Sequence, residues 1–234
     1  MKQEQEYKRV IDTFTGPWEK KFLPKMAAGL PGWVTPDILT ALGLFSALVI
    51  AGGYILTFYS REWIFLSSAG LILHWFADSL DGTLARVRKI ERENYGYFVD
   101  HISDVATVLL LCAGLGLSPL MNMRTALLLA IGYLLLNIYT HIDIHTEGVF
   151  RLSYGRLGPT EVRIVIIILN SIVYFWNPFI LKIKGIMLTA LDLGGAVIGA
   201  ILYMIFIVVS IKTAIRLDRI DKTKKKKGDG SIFQ

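Results

Sequence analysis

Apolar residues in this chain fall into runs of about 20, the length a helix needs to cross a hydrocarbon core roughly 30 Å thick at 1.5 Å per residue. Six runs predict six helical spans, at 37–59, 62–87, 95–118, 125–145, 160–179 and 188–216. Polar residues interrupt the second and third at the ends that face each other. The links at 60–61, 88–94 and 119–124 are short, so successive helices are expected to be antiparallel neighbours. Ahead of the first span, residues 14–33 interleave Trp18, Phe22, Leu23 and Trp33 with Lys20, Lys21 and Lys25. This reads as an amphipathic helix lying in the membrane interface, closed by Gly32 and Pro36. The expected fold is an all-α membrane protein of six transmembrane helices preceded by an N-terminal amphipathic interfacial helix. Residues 1–36 form the juxtamembrane segment, 37–217 the transmembrane domain, and 218–234 a polybasic disordered tail.

Composition supports one lipid-solvated domain. The chain has 234 residues and is 53% hydrophobic, above the 45–50% or so of ordinary soluble domains. The net charge is +6, but the basic residues gather at the ends of the apolar runs. That favours a membrane surface over nucleic acid. With the N-terminus inside, 21 Lys and Arg fall on one side and four on the other, namely Arg61, Arg124, Lys182 and Lys184. Both termini are therefore expected in the cytoplasm, as in a multi-pass protein of a prokaryotic inner or plasma membrane. The first residues lack the apolar core and cleavage site of a signal peptide. Cys112 is the one cysteine; it cannot pair within the chain and reads as a small buried hydrophobe. No internal repeat is evident.

The chemistry concentrates in residues 78–104. Asp78 and Asp81 are three apart and share a helix face, while Asp100 and Asp104 are four apart and share a face of the next helix. Gly82 and Ala85 leave the first face nearly free of side-chain bulk. Four carboxylates in a partly dry site must either protonate or hold a cation. Oxygen-only donors select a hard ion such as Mg²⁺, Mn²⁺ or Ca²⁺. A phosphate or diphosphate would complete its coordination, and Arg86 offers a planar donor fork for phosphate. Simple ion pairing of the aspartates with Arg86, Arg88, Lys89 and Arg92 is the competing explanation. Ionisable groups inside spans are costly, which argues for function.

The run Asp78-x-x-Asp81-Gly82-x-x-Ala85-Arg86, nine residues, Gly96-x-x-x-Asp100-x-x-x-Asp104 resembles the signature of the CDP-alcohol phosphotransferase family. All eight defining positions are filled. The resemblance implies that Asp78, Asp81 and Asp100 bind metal and that Asp104 completes the site. Two Mg²⁺ ions, or Mn²⁺ or Ca²⁺ in their place, are the implied cofactors. Asp104 would also serve as general base on the acceptor hydroxyl. Asp78, Asp81, Gly82, Ala85, Arg86, Gly96 and Asp100 would bind the CDP part of the donor, and CMP would leave. A homodimer is likewise a family expectation. Thr35-Pro36-Asp37-x-Leu39-Thr40 resembles a Pro-Asn-x-x-Thr stretch of the family, with Asp in place of Asn.

Weaker signals surround this core. His74 lies one turn before Asp78, and His101 follows Asp100. His141 and His145 end the fourth span. Positions two apart share no helix face, so His141-x-Asp143-x-His145 is a poor zinc site. The stretch 148–163 carries Arg151, Arg156 and Arg163, which phosphate contact or positive-inside placement both explain. It also carries a helix entry at Pro159, Thr160 as cap, and Glu161. His74, His101, His141, His145, Arg151 and Arg156 are expected around the acceptor. The expected partners are a CDP-linked donor, an alcohol acceptor and membrane lipids, with no nucleic acid. The donor carries diacylglycerol or an amino-alcohol, and the Asp100-His101 pair resembles the choline/ethanolamine branch more. A membrane prenyltransferase also uses Asp-rich motifs and Mg²⁺, but on widely separated segments. A cation-coupled transporter would place carboxylates near the midplane.

Overall fold

The computed structural model describes residues 14–147, 158–176, 181–183 and 186–229. These form α1 (Gly16–Gly29), α2 (Pro36–Leu56), α3 (Ile64–Arg88), α4 (Glu93–Gly116), α5 (Met123–Glu147), α6 (Pro159–Phe175) and α7 (Ala190–Asp229). A 3₁₀ turn at Arg61–Trp63 leads into α3. Five helical stretches are long and apolar enough to cross a membrane: Pro36–Leu56, Arg61–Arg88, Glu93–Gly116, Met123–Asp143 and Ala190–Thr223. They match five of the six expected spans. The helix at the remaining position, α6, has 17 residues, about 25 Å at 1.5 Å per residue.

α2 is the spine of the bundle. It packs on both α3 and α4; α4 then packs on α5, α5 on α7, and α3 on α1 and α6. Two close approaches make this possible. A Cβ on Gly53 would lie 2.5 Å from Ser67 Oγ, and one on Gly114 would lie 2.5 Å from Ala51 Cα. Glycine at both crossings lets the backbones touch, as small residues do between membrane helices. Ser67 Oγ donates to Ile50 O at 2.8 Å across the first of them. The apolar windows of α2 and α3 are each 44% buried, whereas that of α7 is 11% buried. The core therefore lies around α2 and α3, and α7 shows most of its surface outward.

A polar tie crosses the core. Tyr54 OH donates to Asn170 Oδ1 at 3.1 Å, and Asn170 Nδ2 donates to Ser68 Oγ at 3.0 Å. It joins α2, α6 and α3 where lipid could not satisfy these groups. Cys112 is buried and free, as expected.

Several helix ends differ from the sequence reading. α6 is capped at Gly158 rather than Thr160, because Glu161 Oε2 accepts from Gly158 N at 2.9 Å. Between α6 and α7 stands a small antiparallel pair, β1 (Leu181–Ile183) and β2 (Ile186–Leu188), with Leu181 opposite Leu188. Leu181-Lys182-Ile183 alternates apolar and polar residues, the period of a short strand. α7 starts after Thr189, whose N–H donates to Asp192 Oδ2 at 2.9 Å. It then runs on to Asp229, where disorder from 218 was expected. The segment is rich in good helix formers, and Lys222 Nζ pairs with Asp218 Oδ2 at 2.6 Å, one turn apart.

Candidate active site

Two ladders of side chains face each other across a cleft. On α3 the sequence places His74, Asp78, Asp81 and Ala85 three or four residues apart. On α4 it places Thr107, Asp104, Asp100 and Gly96 at the same spacing in the opposite chain direction. His74 Nε2 lies 3.0 Å from Thr107 Oγ1 and closes the floor. The aspartates stand above it within electrostatic reach of one another: Asp104 senses Asp78, Asp100 and Asp81, and Asp81 senses Asp78 and Asp100. α2 packs on both helices that carry the ladders.

The carboxylates are held by neighbours from other helices. Arg163 Nη2 of α6 donates to Asp78 Oδ2 at 2.7 Å. Thr40 Oγ1 of α2 lies 3.0 Å from Asp81 Oδ2, and Gly82 N donates to Asp81 Oδ1 at 2.5 Å. Among the described residues, no three His, Cys, Asp or Glu side chains converge as a ready ligand set. Arg163 holds Asp78 toward α6, and Thr40 holds Asp81 toward α2. The donor chemistry fits a hard divalent ion, since Asp78, Asp81, Asp100 and Asp104 all offer carboxylate oxygens.

The mouth has space where the motif predicts a ligand. A Cβ on Gly82 would meet only Arg86 Nη1, at 3.5 Å, and one on Gly96 would meet nothing within 4 Å. Neither glycine is needed for packing. Ala85 lies one turn beyond Asp81, and Arg86 Nη2 donates to Thr83 Oγ1 at 3.1 Å from an exposed position. Asp37 pairs with Arg92, whose guanidinium sits 4.1 Å from the Tyr95 ring centroid. Residue 37 thus ties α2 to the start of α4.

The residues expected around the acceptor divide. His101 Nδ1 is 3.6 Å from Asp100 Oδ2 and 2.7 Å from Tyr97 O. His141 Nδ1 is 2.9 Å from Tyr97 OH, and the His101 and His141 ring centroids are 4.6 Å apart. These rings join α4 to α5 beside Asp100. His74 is buried below Asp78. His145 lies on α5, but its side chain is outside the described residues, as are Arg151 and Arg156 altogether.

The sequence reading missed a wall contributed by α5. Tyr133 senses Asp104, Arg163 and Asp78 and hydrogen-bonds to Asn137. Tyr133, Asn137 and His141 are spaced by four, a polar ladder on an apolar helix that could have been read as a cleft-facing stripe. Thr40 was visible only as part of a motif, and Thr107 carried no signal.

Residues 33–211 match the family described as CDP-alcohol phosphatidyltransferase. Cholinephosphotransferase 1 of Danio rerio is 29% identical over 193 residues, covering 74% of this chain and 48% of that protein. Phosphatidylinositol phosphate synthase of Cutibacterium acnes is 32% identical over 96 residues, covering 41% of this chain and 44% of that protein. The chain thus spans about half the length, or less, of these curated relatives.

Proposed function

Because the chain belongs to the CDP-alcohol phosphatidyltransferase family, a family of phosphotransferases, we propose that it moves a substituted phosphate from a CDP-linked donor to an acceptor hydroxyl and releases CMP. The observation that carries this reading is the pair of facing ladders with Asp78 and Asp81 on one and Asp100 and Asp104 on the other. A prenyltransferase or a cation-coupled transporter has no such support.

The roles proposed are those the family resemblance implies. Asp78, Asp81 and Asp100 would hold the metal, with Asp104 as a fourth ligand; Mg²⁺ is the proposed ion, as a pair. When bound, it supplies charge neutralisation for the diphosphate and the leaving oxygen. Gly82, Ala85, Arg86 and Gly96 leave the mouth open for the cytidine diphosphate. Asp104, deeper in the cleft than Asp100, takes the proton of the acceptor hydroxyl as its oxygen attacks the phosphorus remote from cytidine. The P–O bond to CMP breaks as the new ester forms. Arg163 neutralises Asp78 until substrate arrives and can then turn to a phosphate oxygen.

The donor is proposed to come from the amino-alcohol branch. The long match to a cholinephosphotransferase supports this, as does His101 beside Asp100. α6 is proposed as the sixth span, with α1 lying in the interface. Domain limits at 36 and 217, both termini and the cleft on the cytoplasmic side, a prokaryotic inner or plasma membrane, and a homodimer belong to the same proposal.

A donor-by-acceptor panel with CMP readout tests it: CDP-choline, CDP-ethanolamine and CDP-diacylglycerol, each with diacylglycerol or small alcohols. Release is expected from a CDP-amino-alcohol with diacylglycerol. Release from CDP-diacylglycerol alone would overturn the branch, and release from none would overturn the activity.

A further inference from the structure

Below the carboxylates the two ladders are tied to each other. His74 Nε2 on α3 lies within hydrogen-bond distance of Thr107 Oγ1 on α4, at 3.0 Å. His74 is one helical turn before Asp78, and Thr107 is one turn after Asp104, so the bridge forms the next rung beneath that pair. At the other end α3 stops at Arg88 and α4 starts at Glu93. All four aspartates therefore lie between the link 89–92 and the imidazole bridge. α2 packs on both helices, but the bridge joins them directly.

An imidazole is a costly side chain for this place. It is 4% exposed, and Leu71 and Ala77, a turn away on either side, are buried as well. Its second nitrogen, Nδ1, is buried with no hydrogen-bond partner, and a bare polar atom in such a setting is destabilising. A leucine would fill the volume without that cost. What the imidazole adds is the reach of Nε2 to Thr107. The ring is also within electrostatic reach of Asp78 and of the Arg163 guanidinium paired with it, so the bridge adjoins the carboxylates.

We propose that His74 is a positioning residue for the divalent ion: through Thr107 it fixes the spacing of the α3 and α4 carboxylates at the reach that Mg²⁺ demands. The inference rests on the metal-assisted transfer proposed above. Mg²⁺ accepts oxygens only in a near-octahedral shell at about 2.0–2.1 Å, whereas Ca²⁺ takes them at about 2.3–2.6 Å in a pliable one. Two helices tied at one end alone would suit Ca²⁺ over a range of separations. Tied at both ends they present one separation, and the stricter ion gains from it. His74 acts through the frame of the ladders and not as a ligand.

The test uses the full chain in lipid nanodiscs and reads Mn²⁺ binding by electron paramagnetic resonance, with Mg²⁺ and Ca²⁺ as competitors. CMP release is the second readout. Thr107→Val and His74→Leu remove the bridge with little change in volume. Each is expected to lower the Mg²⁺ affinity about tenfold, as loss of a group that orients metal ligands does, and the Ca²⁺ affinity less than about twofold. The Mg²⁺ concentration for half-maximal CMP release should rise by the same factor as the Mg²⁺ affinity falls. The double variant should lose no more than either single one, because both remove one interaction. Two amides separate the ring nitrogens. His74→Gln carries its amide to the place of Nε2 and should restore the Mg²⁺ affinity, whereas His74→Asn reaches only to the place of Nδ1 and should behave as His74→Leu. Unchanged Mg²⁺ affinity in Thr107→Val and His74→Leu, an equal loss for both ions, or rescue by His74→Asn but not His74→Gln would each overturn the proposal. A parent that binds no divalent ion overturns it together with the metal reading. A parent that binds the ions but releases no CMP overturns the transferase reading alone, and the competition still decides the role of His74.

Discussion

Asp104 faces Asp78, Asp100 and Asp81, whereas Asp78 is paired directly with Arg163. If Asp104 is the proton acceptor proposed above, removing its carboxylate should slow chemistry without unfolding the bundle. Asp104→Asn is expected to lower CMP release about 10²–10⁴-fold, the usual contribution of a general base. Its thermal unfolding midpoint should stay at the parent value; near-parental turnover would remove Asp104 from the chemistry. The tie at Tyr54 belongs to stability instead. Tyr54 is fully buried and its hydroxyl meets Asn170 Oδ1. Tyr54→Phe leaves that oxygen unsatisfied, at a cost of about 1–3 kcal/mol. A lower unfolding midpoint with unchanged KM is expected, and a changed KM with unaltered stability would contradict this assignment.

Among the elements, α2 touches both α3 and α4. Gly114→Val would press a side chain into the Ala51 backbone, and overpacking of this kind costs about 1–3 kcal/mol. Stability and CMP release should fall together, whereas Gly96→Ala, with open space around it, should leave stability unchanged. Arg88 organises another element: its guanidinium donates to Leu30 O and Pro31 O, each at 2.9 Å, and to Val34 O at 2.5 Å. Arg88→Met should free the elbow between α1 and α2, seen as faster hydrogen exchange across residues 30–34. Spacing alone made the two aspartate faces legible, because the period of a helix is local information. The Arg163–Asp78 pair, Thr40 at Asp81 and the Asn170 tie were not legible, since each joins residues far apart in sequence through packing that no local pattern encodes. The strand at 181–183 was present as an alternating pattern but was masked by the apolar runs on either side.

For the whole molecule, the proposed metal dependence makes a direct prediction. Complete chelation should abolish CMP release, and Mg²⁺ or Mn²⁺ should restore it; activity that survives chelation would exclude carboxylate-held metal from the mechanism. The assembled bundle also has a history built into its contacts. Thr15 donates through both N–H and hydroxyl to Glu161 Oε1, at 2.9 and 3.0 Å, from a position 146 residues earlier. A ribosome makes α1 before α3, on which it packs, and Glu161 at the start of α6 follows only after four further helices, α2 to α5. At about 5–20 residues per second, α1 therefore waits many seconds without its final neighbours. Its aromatic side chains can rest on the bilayer surface during that interval, and the cleft acquires Arg163 only once α6 has been made.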